Sequence, residues 1–240
     1  MNTDPSVEQK EKSNTTRGVV RWLSRETMRV LGQAVVLFLS AGRWDWAMGW
    51  AFVILTALWV GATALVVIPR NPDLLAERLG FRKGAKTWDA VIMSIVGLAL
   101  VACCIVAGLD VRNEWTRGIS PLLQVAALVI VVLGYALTVW ATAANPFFSL
   151  IVRIQKERGH TVAAGGPYRF VRHPAYVGGV VLYLATPVML GSLWALILGG
   201  LSALLMVVRT VLEDKMLLNE LDGYKDYTRR VRYRLVPGVW

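Results

Sequence analysis

A run of 33 residues without a charged side chain, Tyr176 to Val208, restricts the folds open to this chain more than any other feature. A membrane hydrocarbon core is about 30 Å thick and is crossed by roughly 20 apolar residues of helix, so this run is too long for one ordinary crossing. Pro187 and the pair Gly191-Ser192 offer a break near its middle. We therefore predict a tight hairpin of two short membrane helices.

Four further apolar segments precede this run: Val30–Ala41, Trp46–Ile68, Trp88–Leu109 and Ile119–Ala144. The last three are long enough to cross a membrane alone, whereas the first has only 12 residues and needs its neighbours, tilt or local thinning. Hydrophobic residues make up 55% of the chain, and its mean hydropathy is +0.50. These values exclude an ordinary soluble domain and predict an all-α, polytopic membrane bundle of about five to six transmembrane segments.

The distribution of positive charge predicts how this bundle is oriented. When the six segments are given alternating directions, all but three of the 26 Lys and Arg residues fall on one side, the exceptions being Arg43, Arg112 and Arg117. By the positive-inside rule, both termini and the loops around 70–86 and 149–175 then face the cytosol. The net charge of +10 does not imply a nucleic-acid partner, because basic clusters beside membrane spans contact anionic lipid.

The N-terminal residues differ from the rest of the chain. Residues 1–16 are polar and predict a disordered tail, whereas arginines recur every four residues between positions 17 and 29, interleaved with Val, Trp, Leu and Met. That second pattern predicts a basic helix lying at the membrane interface. The predicted organisation is a tail and interfacial helix over 1–29, transmembrane helices over 30–144, and a functional core with a cytosolic C-terminal segment over 145–240.

Polar residues that can take part in binding or catalysis are concentrated in this last part. The stretch 166–176 reads Gly-Pro-Tyr-Arg-Phe-Val-Arg-His-Pro-Ala-Tyr and comes directly before the long apolar run. After that run, Arg209, Glu213 and Glu220 fall close to one face of a helix, since steps of four and seven nearly complete whole turns. Both stretches lie on the predicted cytosolic side, so we expect a site at the mouth of the hairpin.

These residues resemble the isoprenylcysteine carboxyl methyltransferase and phospholipid methyltransferase superfamily of integral membrane enzymes. Its signatures stand here as Gly-Pro-Tyr-Arg at 166–169, Arg-His-Pro-x-Tyr at 172–176, Arg-x-x-x-Glu-Asp at 209–214, and Tyr-x-x-Tyr at 224–227. The resemblance covers about residues 140 to 238. The stretch 153–160 is similar to bacterial members, which suggests a bacterial inner membrane.

The resemblance implies methyl transfer from S-adenosylmethionine to a lipophilic acceptor that enters from the bilayer. It places the cofactor in a cytosol-facing pocket formed by the His-Pro motif, the last membrane helices and the C-terminal segment. No glycine-rich GxGxxG loop is present, which argues against a soluble Rossmann-type methyltransferase. The implied partners are a prenylated or small lipophilic substrate and membrane lipid.

The resemblance also assigns roles to individual residues, and no metal site is expected. The predicted cofactor-binding residues are Tyr168, His173, Pro174, Tyr176, Glu213 and Glu220. The predicted catalytic residues are Arg172, Arg209 and Glu213, and the predicted substrate-binding residues are Asn145, Arg172 and Arg209. A carboxylate acceptor needs no base and could be held bidentately by a guanidinium, whereas an ammonium acceptor needs a base, with Glu213 or Asp214 the candidates.

Structural alternatives stand beside these roles. Arg169 and Arg172 could be topology anchors, Arg209 and Glu213 a structural ion pair, and Tyr224 and Tyr227 aromatic side chains at the membrane interface. His160 is given no role. Besides carboxyl methylation of an isoprenylcysteine-like compound, the open functions are N-methylation of phospholipid or other amines, a sterol-reductase-like oxidoreductase and a non-enzymatic membrane scaffold. Small isoprenoid, sterol-like and quinone-like acceptors also remain compatible.

Overall fold

A computed structural model describes residues 5–72, 74, 86–117 and 119–240, with side chains from residue 15 onward. Across these ranges the regular structure is helical, and no strand is found in them. The helices are α1 (Pro5–Ala41), α2 (Ala47–Val67), α3 (Thr87–Asn113), α4 (Pro121–Ala144), α5 (Pro174–Leu190), α6 (Leu193–Glu220) and α7 (Tyr224–Arg230), with 3-10 turns at Lys156–Arg158 and Gly166–Arg169. The predicted all-α class is confirmed.

The membrane assignment rests on the apolar helices. Within the described ranges, α2, α3, α4 and α6 are long and apolar enough to cross a membrane, and α5 is an apolar helix of 17 residues. This confirms a polytopic helical membrane protein, while the count of five to six crossings stays a prediction. Most of the loop between α2 and α3, including Arg78, Arg82 and Lys83, lies outside the described residues.

The predicted hairpin is present, with two corrections. The chain turns at Gly191, whose φ of 85° suits glycine, and the Ser192 hydroxyl caps α6 by accepting from the Ala195 amide at 3.0 Å. Pro187 does not break the chain, because it lies in the last turn of α5. The second helix is not short, since α6 continues for 28 residues to Glu220 through a polar stretch of good helix formers.

The N-terminal region also differs from the prediction. Residues 5–16 belong to α1 instead of a disordered tail; α1 starts with Pro5, which suits a first helical turn, and residues 8–12 are good helix formers. The basic stretch is not a separate interfacial helix, because α1 runs unbroken through residues 17–41. Its Trp22 is buried against Val60 and Val67 of α2.

Loop contacts show how the helices alternate in direction. Asp110, near the end of α3, accepts hydrogen bonds from the Thr116 amide at 2.6 Å and from the Ser192 hydroxyl. The turns following α3 and α5 therefore lie together at one end of the bundle. At the other end, Asn71 after α2 donates to the carbonyl of Pro146 after α4 at 2.7 Å. We call this second end the site end, because the predicted site residues lie there.

Close helix contacts fix the position of α5. A Cβ added at Gly199 of α6 would lie 2.2 Å from the carbonyl oxygen of Tyr183, and one at Gly178 of α5 would lie 2.8 Å from that of Gly134 in α4. Small residues of this kind let membrane helices approach closely. As a result, α5 is held between α4 and α6, and its first turn is fixed at the site end.

Candidate functional site

A cavity at the site end is bounded by the loop after α4, the start of α5, the end of α6 and α7. Six of the residues predicted from the sequence line it: Asn145, Tyr168, Arg172, His173, Tyr176 and Glu213. They come from parts of the chain up to 68 positions apart in sequence number, Asn145 to Glu213, and are brought together by the hairpin. The fold therefore places these six side chains around one cavity, while their roles in binding and catalysis stay predictions.

Backbone contacts hold the His-Pro motif in place. The amides of Arg172 and His173 donate to the carbonyls of Tyr233 and Arg234 at 2.9 and 3.0 Å, so the C-terminal segment runs beside the motif. Pro174 follows as the first residue of α5 and is buried, a position that needs no amide hydrogen. Pro174 does not line the cavity, and its contribution is to begin the helix.

Asp214, whose role the sequence left undecided, lies at the centre of a buried hydrogen-bond network. Its carboxylate is fully buried and accepts from the Tyr224 hydroxyl at 2.8 Å, from Arg172 Nη2 at 3.1 Å and from Arg234 Nε at 2.9 Å. His173 Nε2 lies 3.4 Å from the same carboxylate. Two guanidinium groups thus neutralise Asp214, and it fixes both side chains of the Arg-His pair.

The two tyrosines of the Tyr-x-x-Tyr motif are not aromatic side chains at a lipid interface. Both are buried and line the cavity, and the Tyr227 hydroxyl donates to the carbonyl of Tyr168 at 2.7 Å. Burial, followed by the nearby Asp214 carboxylate, raises the pKa of Tyr224 well above its usual value. Tyr224 is therefore a protonated donor at neutral pH.

Glu213 faces the cavity beside an aromatic stack. The Tyr176 hydroxyl donates to Glu213 Oε2, and the Tyr176 ring is stacked on the His173 ring with centroids 5.5 Å apart. The Arg209 guanidinium lies 5.0 Å from the centroid of the same Tyr176 ring. Tyr176 thus links the imidazole, the carboxylate and the second arginine of the predicted set.

Arg209 does not line the cavity. It is buried, and its Nε donates to Asp89 Oδ1 at 2.6 Å while its Nη2 donates to the carbonyl of Leu150 at 2.8 Å. Asp89 also accepts from the amide of Val152 at 2.8 Å, which ties the loop after α4 to α3. Arg209 is paired with Asp89, and not with Glu213 as in the structural alternative considered from the sequence. A direct contact of Arg209 with substrate therefore has no support in this geometry.

Asp89 was missed, although the sequence contained a signal for it. It is a carboxylate in the first turn of a long apolar helix, where an unpaired charge would be costly. Its partner is 120 positions away, so spacing could not identify the pair.

Glu220 also lies outside the cavity lining. Its carboxylate accepts from Lys86 Nζ at 2.7 Å, and its side chain is 42% exposed.

His160, which the sequence left without a role, lines the cavity. Its ring stacks on Phe147 with centroids 4.6 Å apart, and its Nδ1 accepts from the amide of Gln155 at 3.2 Å. Burial, followed by the charges of Arg158 and Arg153, lowers the pKa of His160 to about 4. The imidazole is therefore neutral at physiological pH, with its proton assigned to Nε2 by the Nδ1 contact.

The cavity walls combine cationic, anionic and aromatic groups. Arg172 is buried, and its Nε finds no hydrogen-bond partner among the described residues, which leaves a donor for a bound anion. Glu213 offers a carboxylate for a cation, and Tyr168 and Tyr176 offer aromatic surfaces. This set fits the ammonium, carboxylate and ring system of S-adenosylmethionine. No group of three or more His, Cys, Asp or Glu side chains suited to a metal occurs in the described part of the chain.

Two comparisons with known proteins bear on this site. Residues 126–219 match the model of the isoprenylcysteine carboxyl methyltransferase family, a range that includes the His-Pro motif, Glu213 and Asp214. The chain is also similar to the protein-S-isoprenylcysteine O-methyltransferase of Schizosaccharomyces pombe (strain 972 / ATCC 24843), with 30% identity over 111 residues. That alignment covers 45% of this chain and 47% of the yeast protein, so the chain matches about half the length of its relative. Both findings confirm the resemblance of this chain to the isoprenylcysteine carboxyl methyltransferase superfamily.

Proposed function

We propose that this protein is an integral membrane methyltransferase that transfers a methyl group from S-adenosylmethionine to a carboxylate of an isoprenylcysteine-like lipophilic acceptor. The observation that carries the proposal is the convergence of Arg172, His173 and Glu213 on one cavity at the end of membrane helices. All three lie within the segment that matches the family. The distribution of Lys and Arg supports a cytosolic position for this cavity and for both termini.

The cofactor would be held by residues of the Gly166–Arg169 turn, the start of α5 and the C-terminal half of α6. Glu213 is suited to its ammonium or ribose groups, His173 and Tyr168 to hydrogen bonds, and Tyr176 to contact with its apolar parts. S-adenosylmethionine would supply an electrophilic methyl group. Glu220 and Pro174 lie outside the cavity lining, so we do not retain them as direct cofactor ligands.

The acceptor carboxylate is assigned to Arg172. Its guanidinium lines the cavity with an unused Nε donor, and a planar guanidinium matches the geometry of a carboxylate. Arg153 is a second buried arginine in the cavity wall, and its Nη2 donates to Glu157 at 2.6 Å. The unused Nε of Arg172 is the observation that supports carboxyl methylation over amine methylation.

The chain's own residues would contribute mainly by positioning. Displacement at a methyl carbon needs no covalent enzyme intermediate, and near-attack geometry can supply roughly 7 to 11 kcal/mol of the barrier. A carboxylate acceptor is already the nucleophile, so Glu213 is not required as a base. Arg209 acts here as a positioning residue, because its guanidinium contacts the Tyr176 ring and not the cavity.

The test uses the full-length protein in lipid nanodiscs. We expect calorimetry to detect saturable binding of S-adenosylmethionine and of its demethylated product, lost in His173→Ala, with no competition from a nicotinamide dinucleotide. Labelled methyl should then pass to a farnesylated cysteine with a free carboxylate, and not to its carboxamide or to phosphatidylethanolamine. Absence of cofactor binding in a folded sample would refute the proposal, and methylation of phosphatidylethanolamine alone would refute the acceptor assignment.

A further inference from the structure

A surface of mixed basic and apolar character lies beside the cavity, in the segment from Arg229 to Trp240, which we call the basic arm. Arg229, Arg230 and Arg232 are exposed on it, and the Arg229 side chain is 72% exposed and forms a surface ion pair with the equally exposed Asp226 at 3.1 Å. Further along the arm, Val236 is half-exposed and Val239 is 79% exposed. The arm therefore carries both cationic and apolar side chains on its exposed surface.

The valines are presented by a closed turn. The amide of Val239 donates to the carbonyl of Val236 at 3.1 Å, and Gly238 between them has a φ of 81°. Pro237 and Gly238 occupy the two central positions, as in a type II turn. The carbonyl of Trp240 accepts from the amides of residues 234 to 236 at 3.0 to 3.1 Å. The two valines therefore flank the tip of a fixed turn.

This turn is located where a membrane helix begins. Leu235 is buried in the same apolar cluster as Ala175 and Tyr176 of the first turn of α5, and Trp240 packs against that cluster. The arm thus lies against the bundle at the site end, next to the point at which α5 leaves the cavity. Its exposed valines flank Pro237 and Gly238, and its arginines precede them in sequence.

We propose that the basic arm docks on an anionic phospholipid bilayer, with Arg229, Arg230 and Arg232 at lipid phosphates and with Val236 and Val239 in the interface. The occupant is identified by charge complementarity and by the packing of the arm against the first turn of α5, where an apolar helix begins. A cationic segment with adjoining apolar side chains is the pattern that binds the surface of anionic membranes. The inference concerns a lipid contact and does not require methyl transfer.

The test places a fluorescent reporter on the turn. The full chain, with Cys103 and Cys104 changed to Ala, receives Val239→Cys and an environment-sensitive dye, and is reconstituted in nanodiscs of phosphatidylcholine alone or with about one third phosphatidylglycerol. We expect a blue-shifted emission in the anionic discs that is reversed at high salt, because exposed charges are screened. The triple variant R229Q/R230Q/R232Q should lose this difference.

A matched control removes the same number of arginines at the opposite end of the bundle. The variant R43Q/R112Q/R117Q should keep the full lipid-dependent shift, and a dye at Val236→Cys should reproduce it. The proposal is overturned if emission is the same in both lipids, or if both triple variants behave alike. A shift of equal size in phosphatidylcholine alone would show insertion without recognition of anionic lipid, and would overturn it as well.

Discussion

Two adjacent carboxylates in α6 have separate environments at the scale of single residues. Glu213 faces the cavity and accepts from the Tyr176 hydroxyl, whereas Asp214 is fully buried and pairs with Arg172 and Arg234. Neighbouring positions on a helix point about 100° apart, which explains how one motif serves two surroundings. The sequence identified the pair but could not tell which carboxylate would face a ligand.

This difference predicts different consequences for two isosteric substitutions. Glu213→Gln should weaken S-adenosylmethionine binding and leave the melting temperature nearly unchanged, because Glu213 belongs to no buried ion pair among the described residues. Asp214→Asn should lower stability by about 3 kcal/mol, since it leaves guanidinium groups without their buried partner. Thermal unfolding and calorimetry on the same preparations measure both effects. Equal melting temperatures for the two variants would contradict this assignment.

His160 predicts a pH effect on stability. Its pKa is lowered from 6.5 to about 4 in the folded protein, so between these values the unfolded chain binds more protons than the folded one. The stability contribution of His160 is therefore complete above pH 6.5 and is lost as the pH falls towards 4. His160→Gln, which keeps an acceptor for the Gln155 amide, should reduce this loss. Melting temperatures measured from pH 4 to 7 test it, and parallel curves for the two proteins would count against it.

At the scale of elements, the Asp89–Arg209 pair joins the start of α3 to α6 and to the loop after α4. Arg209 donates to Asp89 and to the carbonyl of Leu150, and Asp89 accepts from the Val152 amide. Asp89 lies outside the segment that matches the family, whereas Arg209 lies inside it. The N-terminal helices therefore support the cavity loop through this pair.

The pair predicts a separation between stability and binding. Asp89→Asn should cost about 3 kcal/mol, because it leaves a buried guanidinium unpaired, whereas the double variant D89L/R209M should recover most of the stability. The double variant should still bind S-adenosylmethionine weakly, since Val152, Leu150 and the Tyr176 ring lose their contacts. Unfolding and calorimetry distinguish these effects. Recovery of both stability and affinity would show that the pair has no positioning role.

Local sequence patterns predicted the positions of the helices well, but they did not predict the contacts between the helices. The lengths of the apolar segments predicted the transmembrane helices, and Gly191-Ser192 predicted the hairpin turn, because these features act within a few residues. Five of the six cavity residues came from the spaced motifs of the family that the chain resembles, whereas Asn145 lies outside those motifs. Asp89 and Arg234 could not be found in this way, since their partners are distant in sequence and no local pattern encodes such pairing. The continuous α1 was missed because the polar composition of residues 1–16 was taken to indicate disorder, and because the basic stretch 17–29 was predicted as a helix separate from the apolar segment after it.

At the scale of the whole molecule, the basic arm connects the membrane surface to the cavity. Carbonyls of Tyr233 and Arg234 accept from the amides of Arg172 and His173, and the Arg234 side chain reaches Asp214. A lipid contact that holds the arm in this position would also hold the His-Pro motif. If docking and cofactor binding both favour this position of the arm, the two sites are coupled, and each then changes the affinity of the other by the same factor.

This coupling predicts that lipid composition changes cofactor affinity. S-adenosylmethionine should bind about fivefold more tightly in nanodiscs containing phosphatidylglycerol than in phosphatidylcholine alone, the lower end of usual coupling between sites. The variant R229Q/R230Q/R232Q should have the weaker affinity in both lipids, because it cannot dock, while R43Q/R112Q/R117Q should respond like the unmodified protein. If affinity is independent of lipid while the dye on Val239→Cys still reports docking, the arm binds lipid without steadying the site. The hydrogen bonds to Tyr233 and Arg234 would then persist whether or not the arm is docked.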